Sequence, residues 1–198
     1  MISPFMREFE FQQPPSVHQH MTTWVAFLRG VNVGRAKRIA MADLRALCES
    51  LGHANVRTVL NSGNVVFESR SKSPSALARA FEAALEKTHG FHANTVFITR
   101  DSLEQIAYAN PLGEPRNPSQ FLIAFPYDAD AMHKAAPLQA RDWSPDRIAF
   151  SPDALYLDAA KGLLASALVK EFMRITKVAY TTRNWSTVQK VLNTARGE

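Results

Sequence analysis

Cysteine is nearly absent from this sequence, since Cys48 is the single cysteine among 198 residues. An internal disulfide is therefore excluded, and with it the class of small secreted proteins that disulfides stabilise. No uninterrupted apolar run approaches the roughly 20 residues that a helix needs to cross a bilayer, so we expect no membrane partner. Residues 1–20 contain no apolar stretch of signal-peptide length, and we predict a disordered leader there or a start at Met21. These features favour a cytoplasmic protein.

Patterns that would hold a metal ion or a cofactor are also missing. The six histidines form no ligand set, and neither Cys-x-x-Cys nor His-Glu-x-x-His occurs. The acidic residues are scattered, and no pair can be placed together for acid–base chemistry. We therefore expect neither a metal nor a cofactor. The sequence leaves open whether the protein is an enzyme.

Basic residues are in excess, with a formal net charge of +5 and a pI of about 9.6. The segment 161–198 alone has seven cations and two acids, which is a surplus as large as that of the whole chain. A second excess lies in segment 29–38, which contains four cations and no acid. Such patches could bind a polyanion, although a solvated basic face is the commoner explanation.

The apolar pattern predicts an α+β fold with two ferredoxin-like subdomains, each of the βαββαβ type with an antiparallel sheet. In the first half, strands are predicted over 23–29, 56–60, 65–67 and 95–99, with helices along residues 41–51 and 73–89 and a short one over 102–109. In the second half, strands are predicted over 121–125, 147–150, 154–157 and 178–182. Helices are predicted over 129–136, on the stripe from Leu164 to Ile175, and at the C-terminus.

A connecting segment divides these halves, because residues 110–118 contain three prolines. We predict a leader over residues 1–20, a first subdomain over 21–110 and a connecting loop over 111–118. The second subdomain, with a C-terminal helix, is predicted over 119–198. The oligomeric state cannot be read from these features.

Two loops in the first half carry polar residues at turns. The loop from Gly30 to Gly34 follows a strand and precedes several cations, so its backbone could approach an anion. It matches neither the Walker A spacing nor the dinucleotide fingerprint, and a tight connection is the simpler explanation. The segment Asn61-Ser62-Gly63-Asn64 lies between two strands, which indicates a hairpin turn and not a nucleophile elbow.

The stretch from Thr181 to Thr187 is the most unusual in the chain. Asn184 or Ser186 can cap the last helix, and Ser186 with Gln189 has the capping-box spacing. Two alternatives remain for Arg183 and Trp185. A guanidinium at a helix start can bind an anion, or Arg183 ties the two subdomains together while Trp185 fills their junction. The structural alternative is slightly favoured.

Several stretches, taken in their order and spacing, resemble the bacterial family known as domain of unknown function 1697: Val25–Gly34, Met41–Leu51, Val56–Thr58 with Ser62–Phe67, and Thr181–Val188. The resemblance extends over about residues 21–195, and it implies a cytoplasmic protein with ferredoxin-like subdomains. It implies no activity, substrate or catalytic residue. The chain departs from the family at Arg35, where a second glycine is common.

Two functions from different classes remain open after these observations. The first is a binding protein for a polyanion such as nucleic acid, although the aromatic RNA-binding strand signature is missing. The second is an enzyme or sensor for a small anionic metabolite, bound between the subdomains by Arg29, Asn32, Arg183 and Asn184. The catalytic residues are unknown, and the candidate ligand-binding set is Arg29, Asn32, Gly34, Asn61, Ser62, Asn64, Arg183, Asn184 and Trp185. A purely structural or oligomeric module needs no site at all.

Overall fold

The computed structural model describes residues 21–198, so the predicted leader over 1–20 lies outside the described part. A first sheet has four strands: β1 (Thr22–Leu28), β2 (Ala54–Val59), β3 (Asn64–Ser69) and β4 (Thr95–Thr99). Their spatial order is β2-β3-β1-β4, and all neighbours are antiparallel. Three helices accompany this sheet: α1 (Met41–Ser50), α2 (Pro74–His89) and α3 (Arg100–Tyr108).

A second sheet repeats this arrangement in the rest of the chain. Its strands are β5 (Phe121–Pro126), β6 (Arg147–Phe150), β7 (Leu155–Asp158) and β8 (Tyr180–Asn184), in the order β6-β7-β5-β8. Its helices are α4 (Ala129–Ala135), a 3₁₀ helix (Ala136–Ala140), α5 (Ala167–Thr176) and α6 (Trp185–Arg196). The predicted α+β fold with two antiparallel sheets and their helices is therefore confirmed.

The apolar residues form three cores, and the middle one joins the two halves. One face of the first sheet packs on α1 and α2, and one face of the second sheet packs on α4 and α5. Between them, Phe27 of β1 lies against Phe125 of β5, with ring centroids 4.9 Å apart. Helices α3 and α6 complete this shared core. The predicted division at 111–118 stays a prediction, since the shared core contains residues from both sides of that segment.

Local sequence explains where several helices begin. Ser73, Thr99, Asp128 and Ser166 each accept a hydrogen bond from a backbone N–H in the first turn of the helix that follows. Such caps satisfy donors that the helix itself leaves free. None of the helices in residues 21–198 is both long and apolar enough to cross a bilayer.

Two details of the second half differ from the sequence prediction, and a third decides between two caps that the sequence left open. Leu164, expected on the buried stripe of a helix, is 92% exposed because Ser166 caps α5 and the helix begins only at Ala167. Strand β8 begins at Tyr180, two residues after the predicted start. Asn184, and not Ser186, caps α6, since its side chain accepts from the Thr187 N–H at 2.9 Å.

Candidate functional site

Arg183 lies at the centre of the contact between the two sheets. It stands on β8, directly opposite Ile123 of β5, and only 9% of it is exposed. Its guanidinium reaches across to the first sheet, where it donates to the carbonyl of Leu28 at 2.7 Å and to Asn64 Oδ1. The same group lies 5.0 Å from the centre of the Phe27 ring, a cation–π arrangement.

Every N–H of the Arg183 guanidinium has an acceptor inside the chain. Besides Leu28 and Asn64, the acceptors are the Thr181 hydroxyl and the carbonyls of Thr182, Ser62 and Gly63. No carboxylate is within salt-bridge distance of this arginine in residues 21–198. Burial lowers the pKa of the guanidinium to about 10, which still leaves it charged at neutral pH. Its donors are therefore committed to holding the sheets together.

The hairpin turn between β2 and β3 is shaped to receive Arg183. Gly63 has a φ of 72°, and a Cβ atom there would overlap the Val31 side chain and lie 2.9 Å from Leu28 Cβ. Only glycine fits such a close approach at positive φ. Asn64 is fully buried, and its amide donates to the Val59 carbonyl at 2.8 Å while its oxygen accepts from Arg183.

Arg29 makes a second connection between the two sheets. Its guanidinium donates to the carbonyls of Lys177 (2.7 Å) and Tyr180, which lie just before β8 and at its start. Its backbone N–H donates to the Asn94 carbonyl at 2.9 Å, and Tyr127 donates its hydroxyl to the same carbonyl at 3.3 Å. Burial raises the pKa of Tyr127 to about 12, so this hydroxyl stays protonated. Arg29 thus fixes the loop after β1 against the loop before β8.

These contacts gather cations from both halves at one end of the molecule. We define the basic end as the six residues Arg29, Arg35, Lys37, Arg38, Lys134 and Lys177. Lys37 belongs to it through a hydrogen bond to the His92 carbonyl at 2.7 Å. Lys134 and Lys177 line one cavity of about 370 Å³. Within residues 21–198, none of the six has a carboxylate within 4.0 Å.

The carboxylates near the basic end include Glu82, Asp128 and Asp43. Glu82 lies close enough to Tyr127 to affect the pKa of that hydroxyl, and it accepts from the Thr95 N–H at 2.8 Å. Asp128 lines the same cavity as Lys134, but its side chain accepts from the Ala131 N–H at 2.9 Å and caps α4. Asp43 lies with Arg38 and Asn61 along a neighbouring cavity of about 500 Å³ at the start of α1. The charge of this end therefore remains predominantly positive.

The first loop of the candidate set is held by its own polar side chains. Asn32, at a φ of 57°, donates its amide to the carbonyls of Ile39 and Asn61 and accepts from the Ile39 N–H. Gly34 has a φ of 69° and open space around its Cα. Asn61 and Ser62 are exposed, and the Ser62 hydroxyl lies 3.1 Å from the Asn64 amide. Of the candidate set, the structure thus brings Arg29, Asn32, Gly34, Asn61, Ser62, Asn64 and Arg183 to one region.

Asn184 and Trp185 follow Arg183 directly at the end of β8, but their side chains make other contacts. Asn184 is occupied as the cap of α6. The Trp185 ring packs edge-on against Phe121, with centroids 5.8 Å apart, and lines a different cavity. The side chains of residues 181–187 therefore contribute to two separate regions, the contact between the sheets and the cavity beside α6.

The surplus of cations in 161–198 does not form one surface. Arg183 is buried, Arg174 pairs with Glu171, and Arg196 pairs with Glu104.

The sequence did not indicate that Lys134 and Lys177 lie near the first loop. No local signal in the sequence could have identified them, because the Arg29 hydrogen bonds that bring them there join residues about 150 positions apart. No group of three or more His, Cys, Asp or Glu side chains in residues 21–198 could hold a metal ion.

Comparison with known proteins supplies the family. The family described as "Protein of unknown function (DUF1697)" matches residues 21–156. The chain belongs to this family. The match confirms the resemblance noted from the sequence, and it ends before Arg183, Asn184 and Trp185. None of the curated proteins matches the chain.

A solved structure shares the fold of the family member described here. It is that of the conserved bacterial protein SP0830 from Streptococcus pneumoniae, with a TM-score of 0.76 and 21% sequence identity. The similarity covers 89% of this chain and 99% of that one. At this identity the likeness concerns the fold alone.

Proposed function

We propose that this DUF1697 protein binds a polyanion, nucleic acid in particular, across the basic end. The observation that carries the proposal is that hydrogen bonds of Arg29 join the first loop, with its four cations, to the segment of Lys177, while none of the six cations has a carboxylate within 4.0 Å. Unpaired surface cations are free to replace the counterions that surround phosphate groups. Cations in ion pairs would first have to separate from their carboxylate partners.

The shape of the basic end also suits an extended ligand. Arg35, Arg38, Lys134 and Lys177 are exposed, and they lie on three different segments of the chain. Gly34 leaves open space at the tip of the first loop, so a phosphate backbone could approach the main chain there. Because the loops contain no aromatic platform of the RNA-binding strand type, we expect affinity with little sequence preference.

The proposal includes a cytoplasmic location. The single cysteine of the chain is buried in α1, and burial raises the pKa of the Cys48 thiol to about 12. A buried thiol without a disulfide partner suits a reducing compartment, where nucleic acid is also present.

The alternative, a small anionic metabolite between the two sheets, has weaker support. It relies on Arg29, Asn32, Arg183 and Asn184. The side chains of Asn32, Arg183 and Asn184 already make their hydrogen bonds inside the chain. A small ligand there would have to displace contacts that hold the sheets together, whereas a polyanion can use the outer cations.

The test is a binding titration by fluorescence anisotropy at low salt, with labelled single-stranded DNA and RNA of about 20 nucleotides, longer than a typical single-strand site. The basic-end variant replaces Arg35, Lys134 and Lys177 by Gln. These three side chains are exposed and make no hydrogen bond within residues 21–198. We expect the variant to bind at least about 10-fold more weakly, since each lost phosphate contact removes a counterion-release contribution.

A matched control replaces Lys161, Lys170 and Lys190 by Gln. These three are also exposed, make no side-chain hydrogen bond and carry the same total charge, but they lie outside the basic end. We expect the control to retain nearly the affinity of the wild type. Equal weakening by both variants would contradict the proposal, as would tight binding of a nucleoside triphosphate with none of either oligonucleotide.

A further inference from the structure

A separate cavity of about 610 Å³ lies between α3, α6 and the loop after α3. Its walls include Tyr108, Asn110, Trp185, Gln189, Asn193 and Arg196. It includes Trp185, just after the end of β8, whereas Arg29 of the basic end bonds to Tyr180 at the start of that strand. None of the six cations of the basic end lines it.

The tryptophan in this cavity differs from the other two in the chain. Trp24 donates its indole N–H to the Ser71 carbonyl at 3.2 Å, and Trp143 donates to the Leu138 carbonyl at 2.8 Å. Trp185 has no acceptor for its N–H within residues 21–198, although its ring is held by Phe121. A half-buried tryptophan usually finds a partner for this donor. The indole N–H of Trp185 is therefore free for a ligand in the cavity.

Two amide side chains on α6 are free in the same way. Gln189 and Asn193 are four residues apart on the helix, so they lie on one face of it, and Trp185 begins that row. Neither side chain makes a hydrogen bond within residues 21–198, and both are exposed. Each amide offers donors and an acceptor. The row Trp185, Gln189 and Asn193 thus presents a mixed set of donors and acceptors beside an indole ring.

The opposite wall has an exposed aromatic residue, Tyr108, and a carboxylate, Glu114, so the cavity has no surplus of positive charge for an anion. Tyr108 is 77% exposed, which is unusual for an aromatic side chain with no obvious function. Arg196 fixes it by donating to the Tyr108 hydroxyl at 3.2 Å, while Arg196 itself pairs with Glu104 at 2.7 Å. The guanidinium is therefore not free for a phosphate. These walls suit an uncharged planar ligand better than an anion.

We propose that this cavity binds a planar, uncharged heteroaromatic ring of the nucleobase class, with its hydrogen-bonding edge towards Gln189 and Asn193. The aromatic walls provide stacking, which every base accepts. The free amides match the donor and acceptor pattern of a base edge, in the way that Asn and Gln pair with adenine. The site does not depend on the basic end, because nucleosides carry no phosphate.

The experiment is a titration of the ¹⁵N-labelled protein, residues 1–198, with adenosine, guanosine, cytidine and uridine, followed by the three indole N–H signals. We expect saturable movement of the Trp185 signal for at least one nucleoside, with the Trp24 and Trp143 signals unchanged. Binding should be insensitive to salt, in contrast to binding at the basic end. An N6,N6-dimethyl derivative of adenosine should bind at least about 10-fold more weakly than adenosine if its edge is recognised.

A double variant and a control variant test whether the amides of Gln189 and Asn193 recognise the ligand. The double variant Gln189→Ala and Asn193→Ala removes the free amides, and we expect a loss of affinity of at least about 10-fold. The control is Gln139→Ala, an exposed glutamine that also makes no side-chain hydrogen bond but lies on the 3₁₀ helix. It should bind like the wild type.

Three results would overturn the proposal. They are a Trp185 signal that does not move with any of the four nucleosides, equal affinity in the double variant, and equal weakening in the Gln139→Ala control. None of these results bears on oligonucleotide binding at the basic end, so the two proposals can fail separately.

Discussion

The two sheets are built alike, but their arginines have different partners. In the second half, Arg116 and Arg147 both pair with the buried Asp158, at 2.7 and 2.5 Å, and Arg141 and Arg174 share Glu171. Within residues 21–110, the only internal ion pair is that between Arg100 and Asp101, which are adjacent in the sequence. Other cations there donate to uncharged groups, as Arg29 and Lys37 do to carbonyls and Lys72 does to the Thr22 hydroxyl, or extend into solvent.

This difference shows that the number of charges in a segment does not locate a binding surface. By sequence, segment 161–198 has the larger surplus, yet its three arginines are paired or buried, and of its four lysines only Lys177 belongs to the basic end. Segment 29–38 has fewer cations, but none of them has a carboxylate within 4.0 Å. A cation binds phosphate most readily when it has no carboxylate partner, because an exposed unpaired charge interacts with phosphates without losing an ion pair.

The largest effect in this comparison is expected at Arg183, the one second-half arginine that bonds to the first sheet. Arg183→Met keeps much of the volume but leaves the carbonyls of Leu28, Ser62 and Gly63 with fewer donors and Asn64 with an unpaired oxygen. Buried groups left without partners are costly, so we expect a loss of about 3–5 kcal/mol in the free energy of unfolding. Urea unfolding followed by circular dichroism measures it.

The control for Arg183→Met is Arg79→Met, at an exposed arginine on α2 that makes no side-chain hydrogen bond. It should leave the unfolding midpoint close to that of the wild type. A loss below about 1 kcal/mol for Arg183→Met would mean that the carbonyl cluster is rehydrated easily and contributes little to the sheet contact.

A smaller effect is expected from the arginine pair of the second half. Asp158→Asn keeps the shape of a buried side chain, 1% exposed, but removes the charge that Arg116 and Arg147 share. Both arginines are about 40% exposed, so water compensates in part. We expect a loss of about 1–3 kcal/mol in the same urea experiment. An Asp158→Asn variant less stable than Arg183→Met would reverse the proposed ranking.

The thiol of Cys48 allows the first half to be followed alone. It is buried in α1, and its raised pKa of about 12 keeps it in the unreactive thiol form at neutral pH. Labelling by a thiol reagent should therefore require opening of the first half. We expect Arg183→Met to speed labelling by about 100-fold, and Asp158→Asn to have a smaller effect. Equal labelling rates in both variants would show that the two halves open as one unit.

The smallest effect is expected at an exposed ion pair. Arg174 and Glu171 lie three residues apart on α5, in contact with water. The hydrogen bond from Arg174 lowers the pKa of Glu171, so whatever stability the pair contributes is present at neutral pH and is lost as the pH falls through the folded-state pKa. Arg174→Gln should leave the urea midpoint at pH 7 unchanged within error. A clear shift would mean that surface pairs in this half matter more than their exposure indicates.

Periodicity predicted most of the fold, because the apolar residues of each helix and strand face a core. Leu44, Leu47 and Cys48 on α1 are buried as their spacing indicated. Leu164 continues the stripe of α5 but lies before its cap, so its position is set by Ser166 and not by the pattern. The sequence also predicted the hairpin turn over residues 61–64, although the turn lies over 60–63 and Asn64 already begins β3.

The site was less predictable, because its contacts are made to backbone atoms. The acceptors of Arg183 are mostly carbonyls of the first sheet, and a carbonyl carries no signature in the sequence. For the same reason, the contact of Arg29 with Lys177 and Tyr180 could not be predicted. The sequence identified Arg183 and Trp185 as unusual, but only the fold shows that Arg183 reaches across to the first sheet while Trp185 packs against Phe121.

The most direct test of the central claim is the salt dependence of oligonucleotide binding. The logarithm of the association constant is measured against the logarithm of salt concentration for the wild type, for the basic-end variant (Arg35, Lys134 and Lys177 to Gln) and for the control (Lys161, Lys170 and Lys190 to Gln). Each phosphate contact to a single strand contributes about 0.7 to the slope, so the basic-end variant should lose up to about 2 while the control keeps the wild-type slope. Equal slopes for the wild type and the basic-end variant would contradict the account.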